Sequence, residues 1–200
     1  MTIPRGEPAA TGGTGALVRC LLFDLDGTLF FTEEANFAAY ARAFAEVGFT
    51  LEREAYRRAF GLRFDSMVSA VGARLDAAQA SQVREAKARH YRECLGQVTP
   101  NAPLIALLRA LRPTHRTALV TTAARQNARA LLEHFDLMSA FDVAIYGEDV
   151  VRPKPDPEGY LSAVRQLGVS PAECLAFEDS ESGLAAARAA DLHVVRIPTP

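Results

Sequence analysis

A chain of 200 residues, 49% apolar and 23% charged, is sized for one folded domain, or one domain with an insert, around a real buried core. A formal net charge of -2 excludes a strongly basic nucleic-acid binder and a polybasic membrane-surface protein. No stretch reads as a transmembrane helix, and the three cysteines, Cys20, Cys94 and Cys174, are too scattered for a metal motif or a disulfide framework, which points to a reducing cytoplasm.

Met1 to Gly15 is rich in Gly, Pro, Ala and Thr and lacks the apolar run of a signal peptide, so residues 1–15 read as a flexible leader. Leu17 to Phe23 is a first strand. Its Leu and Phe run meets carboxylates only at its end, in Leu21-Leu22-Phe23-Asp24-Leu25-Asp26-Gly27-Thr28-Leu29. Beyond Leu29 the period turns helical. Thr32, Glu33 and Glu34 look like a helix start, Phe37, Tyr40, Phe44 and Val47 share a face, and Gly48 stops the helix. Further helices are expected over Glu52 to Phe60, Asp65 to Leu75 and Ala77 to Leu95, with no strand signal in the block. Thr99-Pro100-Asn101-Ala102-Pro103 breaks the pattern and starts a helix over Leu104 to Leu111. Strict alternation follows: strand Arg116 to Thr121, helix Arg125 to His134, strand Val143 to Tyr146, helix Pro157 to Leu167. Strand Cys174 to Phe177, helix Glu181 to Ala190 and strand His193 to Ile197 complete it.

This order implies an α/β fold, a three-layer Rossmann-like core whose parallel sheet is covered on both faces. Residues 16–30 and 99–200 would form the core. Residues 31–98 would form an inserted all-helical cap, hinged near Phe30 to Glu33 and Gln97 to Pro103.

Four polar clusters fall at strand ends: Asp24 and Asp26; Thr121 and Thr122; Lys154; and Glu178 with Asp179, followed by Ser180, Ser182 and Gly183 at a helix start. Ligands of open parallel sheets bind at the carboxyl ends of the strands, so these clusters converge on one mouth. Asp24 and Asp26, held close, would repel and shift each other's titration. A divalent cation such as Mg²⁺, which prefers oxygen ligands, would relieve this. Hydroxyls and a lysine suit phosphoryl oxygens, carboxylates suit the metal, and a free carboxylate can attack phosphorus. Plainer readings stand beside these. Asp and Gly form turns after strands, Thr121 can merely end a strand, and Lys154 between prolines can be a solvated loop lysine. His90, His115, His134 and His193 share no spacing and read as structural or surface residues.

Taken in order, Asp24-Leu25-Asp26-Gly27-Thr28, Thr121, Lys154 and Glu178-Asp179 resemble the four motifs of the haloacid dehalogenase-like superfamily, in the subgroup with a helical cap behind the first motif. The resemblance runs from Leu17 to Ile197. It implies that Asp24 is a nucleophile forming an aspartyl-phosphate, and that Asp26 is the general acid/base. Thr121, with Thr122 beside it, and Lys154 would bind the phosphoryl group. Asp24, the Asp26 backbone carbonyl, Asp179 and Glu178 would hold Mg²⁺, Glu178 acting directly, through water, or only by positioning Asp179. In the cap, Asn36 and Arg63 are candidates for substrate contact. Arg63 lies in Gly61-Leu62-Arg63-Phe64, which resembles the loop such caps lower over the core, and it can equally be solvated. Arg125, at a helix start, reads as a surface residue.

Within that superfamily Asp26 points to phosphate esters, because an alkoxide leaving group needs an acid and a halide does not. Phosphonate cleavage would need a cap lysine, and the single one, Lys87, lies far along a helix. Glu178-Asp179-Ser180 resembles the β-phosphoglucomutase and sugar-phosphatase branch. Mutases there carry a histidine in the first cap helix where this chain has Asn36, and a polar pair where it has Phe30 and Phe31. Asp191 stands where glycine is usual. The expectation is a Mg²⁺-dependent phosphatase acting on a small phosphorylated metabolite, a sugar phosphate or similar. A sugar phosphomutase and a non-catalytic binding module are the alternatives. The partner is then a small phosphate ester, with no nucleic acid and no membrane. The oligomeric state is open, a monomer being the simpler expectation.

Overall fold

The computed structural model describes residues 17–198; the leader expected at 1–15 lies outside them. In chain order the elements are β1 (Cys20–Phe23), β2 (Phe30–Phe31), α1 (Glu33–Ala45), α2 (Arg53–Ala59), α3 (Phe64–Ala70), α4 (Ala77–Glu93), β3 (Thr99–Pro100), α5 (Ala102–Leu111), β4 (Arg116–Val120), α6 (Arg125–His134), β5 (Val143–Ile145), α7 (Glu158–Leu167), β6 (Cys174–Glu178), α8 (Glu181–Ala189) and β7 (His193–Arg196).

Five strands form one sheet in the order β5-β4-β1-β6-β7, and every pairing is parallel. β1 is central and all four of its residues are buried. Its side chains alternate between two layers, as a strand covered on both faces requires. Leu21 and Phe23 pack with Leu104, Ile105 and Leu108 of α5 and Leu131 and Leu132 of α6. Cys20 and Leu22 pack with Tyr160, Ala163 and Val164 of α7 and Ala186 and Ala187 of α8. The α/β three-layer architecture is therefore the one expected. After β1 the chain builds the sheet outward through β4 and β5, then returns to the other side of β1 with β6 and β7. The reversal leaves a crevice at the carboxyl ends of β1 and β6, where such sheets bind ligands.

The helical block α1–α4 has a core of its own, built on Phe44, Leu51, Tyr56, Met67 and Val83. Its base is shared with the sheet layer, because Ala35, Ala39, Tyr91 and Cys94 join the cluster that holds Leu21 and Phe23. Asp76 starts α4 with a capping box to Gln79, its side chain accepting from the Gln79 N–H at 2.8 Å. Among the described residues no helix is long and apolar enough to cross a membrane.

Three expectations need correction. The first strand begins at Cys20 rather than Leu17, and α3 ends at Ala70 rather than Leu75. Gly72 takes φ +78 there, a left-handed stop that the apolar spacing of Val71 and Leu75 concealed. The entry and exit of the helical block, expected as plain connections, pair as an antiparallel ribbon, Phe30 with Pro100 and Phe31 with Thr99. Asn101 fastens the exit to the turn behind β1, its N–H donating to the Leu29 carbonyl at 2.9 Å and its side-chain amide to the Thr28 carbonyl at 3.0 Å.

Candidate active site

β1 ends at Phe23, and the Asp24 N–H extends its ladder by one bond, to the Phe177 carbonyl at 3.1 Å. The chain then folds back at once. The N–H groups of Leu29 and Phe30 both donate to the Leu25 carbonyl at 3.0 Å, and the Gly27 N–H donates to the Phe30 carbonyl at 2.7 Å. Gly27 is needed twice over. Its φ is +88, and a Cβ built on it would sit 2.2 Å from an oxygen of Asp179. That close approach lets the buried Thr28 hydroxyl donate to Asp179 Oδ1 at 2.9 Å.

Lys154 enters the same crevice with its side chain buried. Its ammonium donates to Asp24 Oδ1 at 2.6 Å, Glu178 Oε1 at 2.5 Å and the Val120 carbonyl at 2.9 Å, which uses all three of its protons. The Tyr160 hydroxyl donates to the same Glu178 oxygen. The first turn of α8 lies so close to Glu178 that a Cβ on Gly183 would overlap the carboxylate. Asp24, Glu178 and Asp179 each offer an oxygen, and these atoms lie within 4.8 Å of one another.

Three carboxylates thus face one ammonium. Burial pushes the Asp24 carboxyl well above the usual range; Lys154 pulls it down, and Glu178 and Asp179 push it further up. Burial likewise raises Asp179, against the hydrogen bond from Thr28 and with the repulsion of Glu178. For Lys154 burial opposes the charge, but the attraction of Asp24 and then Glu178 outweighs it and the ammonium is held above its ordinary value. A dication fits this donor set, since hard oxygen ligands in negative excess are what Mg²⁺ takes.

Asp26 belongs to different surroundings. Its Oδ1 accepts from the Thr32 hydroxyl just ahead of α1, and Asn36 of α1 also bonds to its carboxyl. Burial raises Asp26; those two bonds and the charges of Lys87 and Lys154 pull it back. The expected mutual repulsion of Asp24 and Asp26 is not what perturbs them. The acids that act on Asp24 are Glu178 and Asp179, because residues two apart at the strand end turn to separate sets of partners.

The remaining expected residues divide. Thr121 is buried beside Lys154's carbonyl partner, its hydroxyl accepting from the Ala123 N–H at 3.0 Å. Thr122 is exposed; with Thr121 and Lys154 it borders only a cavity of about 10 Å³. Asn36 is buried against Asp26. Arg63 is exposed at the N-cap of α3, outside either cluster. Arg125 pairs with Asp149 and stacks on Tyr146 at 4.4 Å, a surface role as expected.

Sequence reasoning missed Thr28, Thr32, Tyr160 and Lys87. Thr28 lay inside the motif with no role given to it. Lys87 carried a usable signal, since it falls in the stripe of Val83, Ala86 and Tyr91 that α4 buries. Thr32 and Tyr160 had none, because their partners are set only by how α1 and α7 dock.

The chain is similar in sequence and in fold to known proteins. A sequence model of the family described as haloacid dehalogenase-like hydrolase matches residues 21–197. The chain is 36% identical over 195 residues to protein CbbY of Rhodobacter capsulatus, covering 91% of this chain and 86% of that protein. It is 30% identical over 180 residues to a phosphorylated carbohydrates phosphatase of Thermotoga maritima, covering 88% and 82%. The crystal structure of CbbY from Rhodobacter sphaeroides in complex with phosphate superposes with a TM-score of 0.83 at 28% identity, covering 92% and 88%.

Proposed function

The chain belongs to the haloacid dehalogenase-like hydrolases, and from that premise we propose that it is a Mg²⁺-dependent phosphatase hydrolysing a small phosphorylated carbohydrate. One observation carries the reading: a single buried ammonium, Lys154, is shared between Asp24 and Glu178 with Asp179 alongside. A carboxylate attacks an anionic phosphate poorly unless cations offset the repulsion, and this arrangement supplies one cation and the ligands for another.

In this proposal Asp24 is the nucleophile. Lys154 holds its Oδ1, which leaves Oδ2 to form the bond to phosphorus while the ester oxygen departs. Asp26 gives that oxygen its proton, and the burial that raises its carboxyl favours the protonated form it needs. Asp26 then takes a proton from the water that opens the aspartyl-phosphate. Thr121 donates to a phosphoryl oxygen, Lys154 binds another by giving up one of its three present hydrogen bonds, and Thr122 stands at the exposed rim. Asp24, Glu178, Asp179 and the Asp26 carbonyl would hold Mg²⁺. When bound, the ion withdraws charge from the phosphoryl oxygens and cancels repulsion among the carboxylates. Residues 31–98 act as the cap over a core of 16–30 and 99–200, joined to it through the ribbon of β2 and β3; Asn36 meets the substrate beside Asp26, and Arg63, exposed at the start of α3, would reach it only on cap closure. The protein works in the cytoplasm on a small molecule, as a monomer, without nucleic acid or membrane.

A phosphate-release screen over sugar, polyol, nucleotide and glycolate phosphates tests this, with and without Mg²⁺. Turnover of sugar phosphates that chelation stops is the expected result. Isomerised sugar phosphate with little free phosphate would assign a phosphomutase instead. Binding without turnover across the panel would assign a non-catalytic module.

A further inference from the structure

Tyr160 of α7 is the largest fully buried side chain among the described residues. It packs in the cluster of Cys20, Leu22, Val120 and Ala176, a space that phenylalanine would fill as well. Packing therefore does not account for its hydroxyl. A buried phenol takes a hydrogen-bond partner, and this one donates to Glu178 Oε1, the oxygen that already accepts from Lys154 at 2.5 Å. One carboxylate oxygen thus holds two close donors. Its twin, Oε2, has the Ser180 hydroxyl at 3.5 Å. Glu178 is itself fully buried and cannot turn to look for others, because a Cβ on Gly183 in the first turn of α8 would overlap its carboxylate.

Phosphate binding leaves Lys154 short of protons. All three are committed, to Asp24, Glu178 and the Val120 carbonyl, so a phosphoryl oxygen is bound only when one acceptor is released. The three acceptors are not equivalent. Among the described residues no other side chain donates to Asp24 or to the Val120 carbonyl. Glu178 Oε1 has a second donor on the same atom. A buried carboxylate stripped of every partner is strongly unfavourable, whereas an O–H donor to a carboxylate makes one of the stronger hydrogen bonds. Glu178 is the acceptor that Lys154 can leave at least cost.

We infer that Tyr160 is a positioning residue: its hydroxyl keeps Glu178 in place and hydrogen-bonded while the Lys154 ammonium leaves Glu178 for the phosphoryl group. The inference rests on the phosphatase reading above and adds how Lys154 becomes available to the substrate. Lys154 keeps its bonds to Asp24 and the Val120 carbonyl and pivots on them. The phenol keeps its proton throughout. The ammonium also lies 5.3 Å from the Tyr160 ring centroid, so one side chain steadies Glu178 through its hydroxyl and Lys154 through its ring face. Phenylalanine at this position would keep the ring contact and lose the hydroxyl. Lys154 would then be pinned to Glu178, since its departure would leave that carboxylate without a close donor.

The test is the affinity of the full chain for inorganic phosphate at saturating Mg²⁺, by calorimetry and by competitive inhibition of ester hydrolysis. Tyr160→Phe should weaken phosphate binding about tenfold. KM for a sugar phosphate should rise to match while kcat stays within about threefold, because Lys154 holds the phosphoryl group in the bound ester and in the transition state alike. On a Glu178→Gln background no charge is left to cover, and Tyr160→Phe should then change phosphate affinity by less than about twofold. A merely structural role would lower the melting temperature of Tyr160→Phe and leave phosphate affinity and KM alone, which would overturn the inference. An equal loss on the Glu178→Gln background would overturn it too. So would a loss that more Mg²⁺ reverses, which would make Tyr160 a support of the metal ligands instead. Each of these results leaves the phosphatase reading standing. A wild-type chain that neither binds phosphate nor hydrolyses any ester would overturn both.

Discussion

Asp24 and Asp26 leave the same turn and live in different halves of the molecule. Every polar partner of Asp24 comes from the sheet: Lys154 beyond β5, Glu178 at the end of β6 and Asp179 just past it. The hydrogen bonds to Asp26 come from the helical side, from Thr32 and Asn36, and the buried Lys87 of α4 adds its charge. The sheet is parallel and clamped on both faces, so the Asp24 cluster is rigid, as the proposed holding of a phosphoryl group and a metal requires. The Asp26 cluster exists only while the helices sit on the core. Cap position would therefore govern when the acid is assembled, without disturbing the nucleophile.

Substitutions can break that division in order of size. On the proposed mechanism Asp24→Asn should remove at least about a thousandfold of kcat, because the neighbouring carboxylates are engaged elsewhere, Glu178 by Lys154 and Tyr160 and Asp179 by Thr28. A variant retaining near-normal phosphate release would sink the nucleophile assignment. Lys154→Met should cost about 3–5 kcal/mol of stability in the absence of metal, since it strands Asp24 and Glu178 together in the interior. Urea denaturation measures it, and added Mg²⁺ should restore part of the loss. If Lys154→Met unfolds like wild type, the sheet cluster is not held by charge.

On the helical side the sign reverses. Burial lowers Lys87 from 10.5 to about 8. Below about 8 the lysine is charged in both folded and unfolded chains, and the folded state bears the full penalty. As pH rises from about 8 to 10.5 the folded chain loses that proton first, so stability rises across this window. Lys87→Met should thus stabilise the protein by about 3 kcal/mol at pH 7 and flatten its stability between pH 8 and 10.5. Thermal unfolding across that range checks both. The smallest effect lies away from both aspartates. Asp191 takes φ +58, where glycine is strain-free, so Asp191→Gly should raise stability by about 1 kcal/mol and leave kinetics alone.

That position illustrates how far sequence reading went. The family resemblance marked Asp191 as standing where glycine is usual, but the left-handed backbone that explains the preference is a fact of the turn after α8. The apolar run of β1 and the alternation after Pro103 located the sheet, because a strand buried on both faces must be apolar throughout. Boundaries were weaker where glycine stops were masked by hydrophobic spacing, as at Gly72. The ribbon of Phe30–Phe31 with Thr99–Pro100 was invisible, since two residues have no period to read.

The sequence alone determined the kind of fold, the placing of acids, hydroxyls and lysine at strand ends, and the helical insert behind the first pair. Those follow from local pattern, where each residue's neighbours in the chain are also its neighbours in the element. Tertiary structure alone decided which acid meets which partner. Lys154 reaches Asp24 across 130 residues and Thr28 reaches Asp179 across 151. It also turned Lys87, one more residue on a helix, into a buried cation facing Asp26. Hydrogen bonds and charges act over a few ångströms of space regardless of sequence distance, so only the packed molecule can pair them.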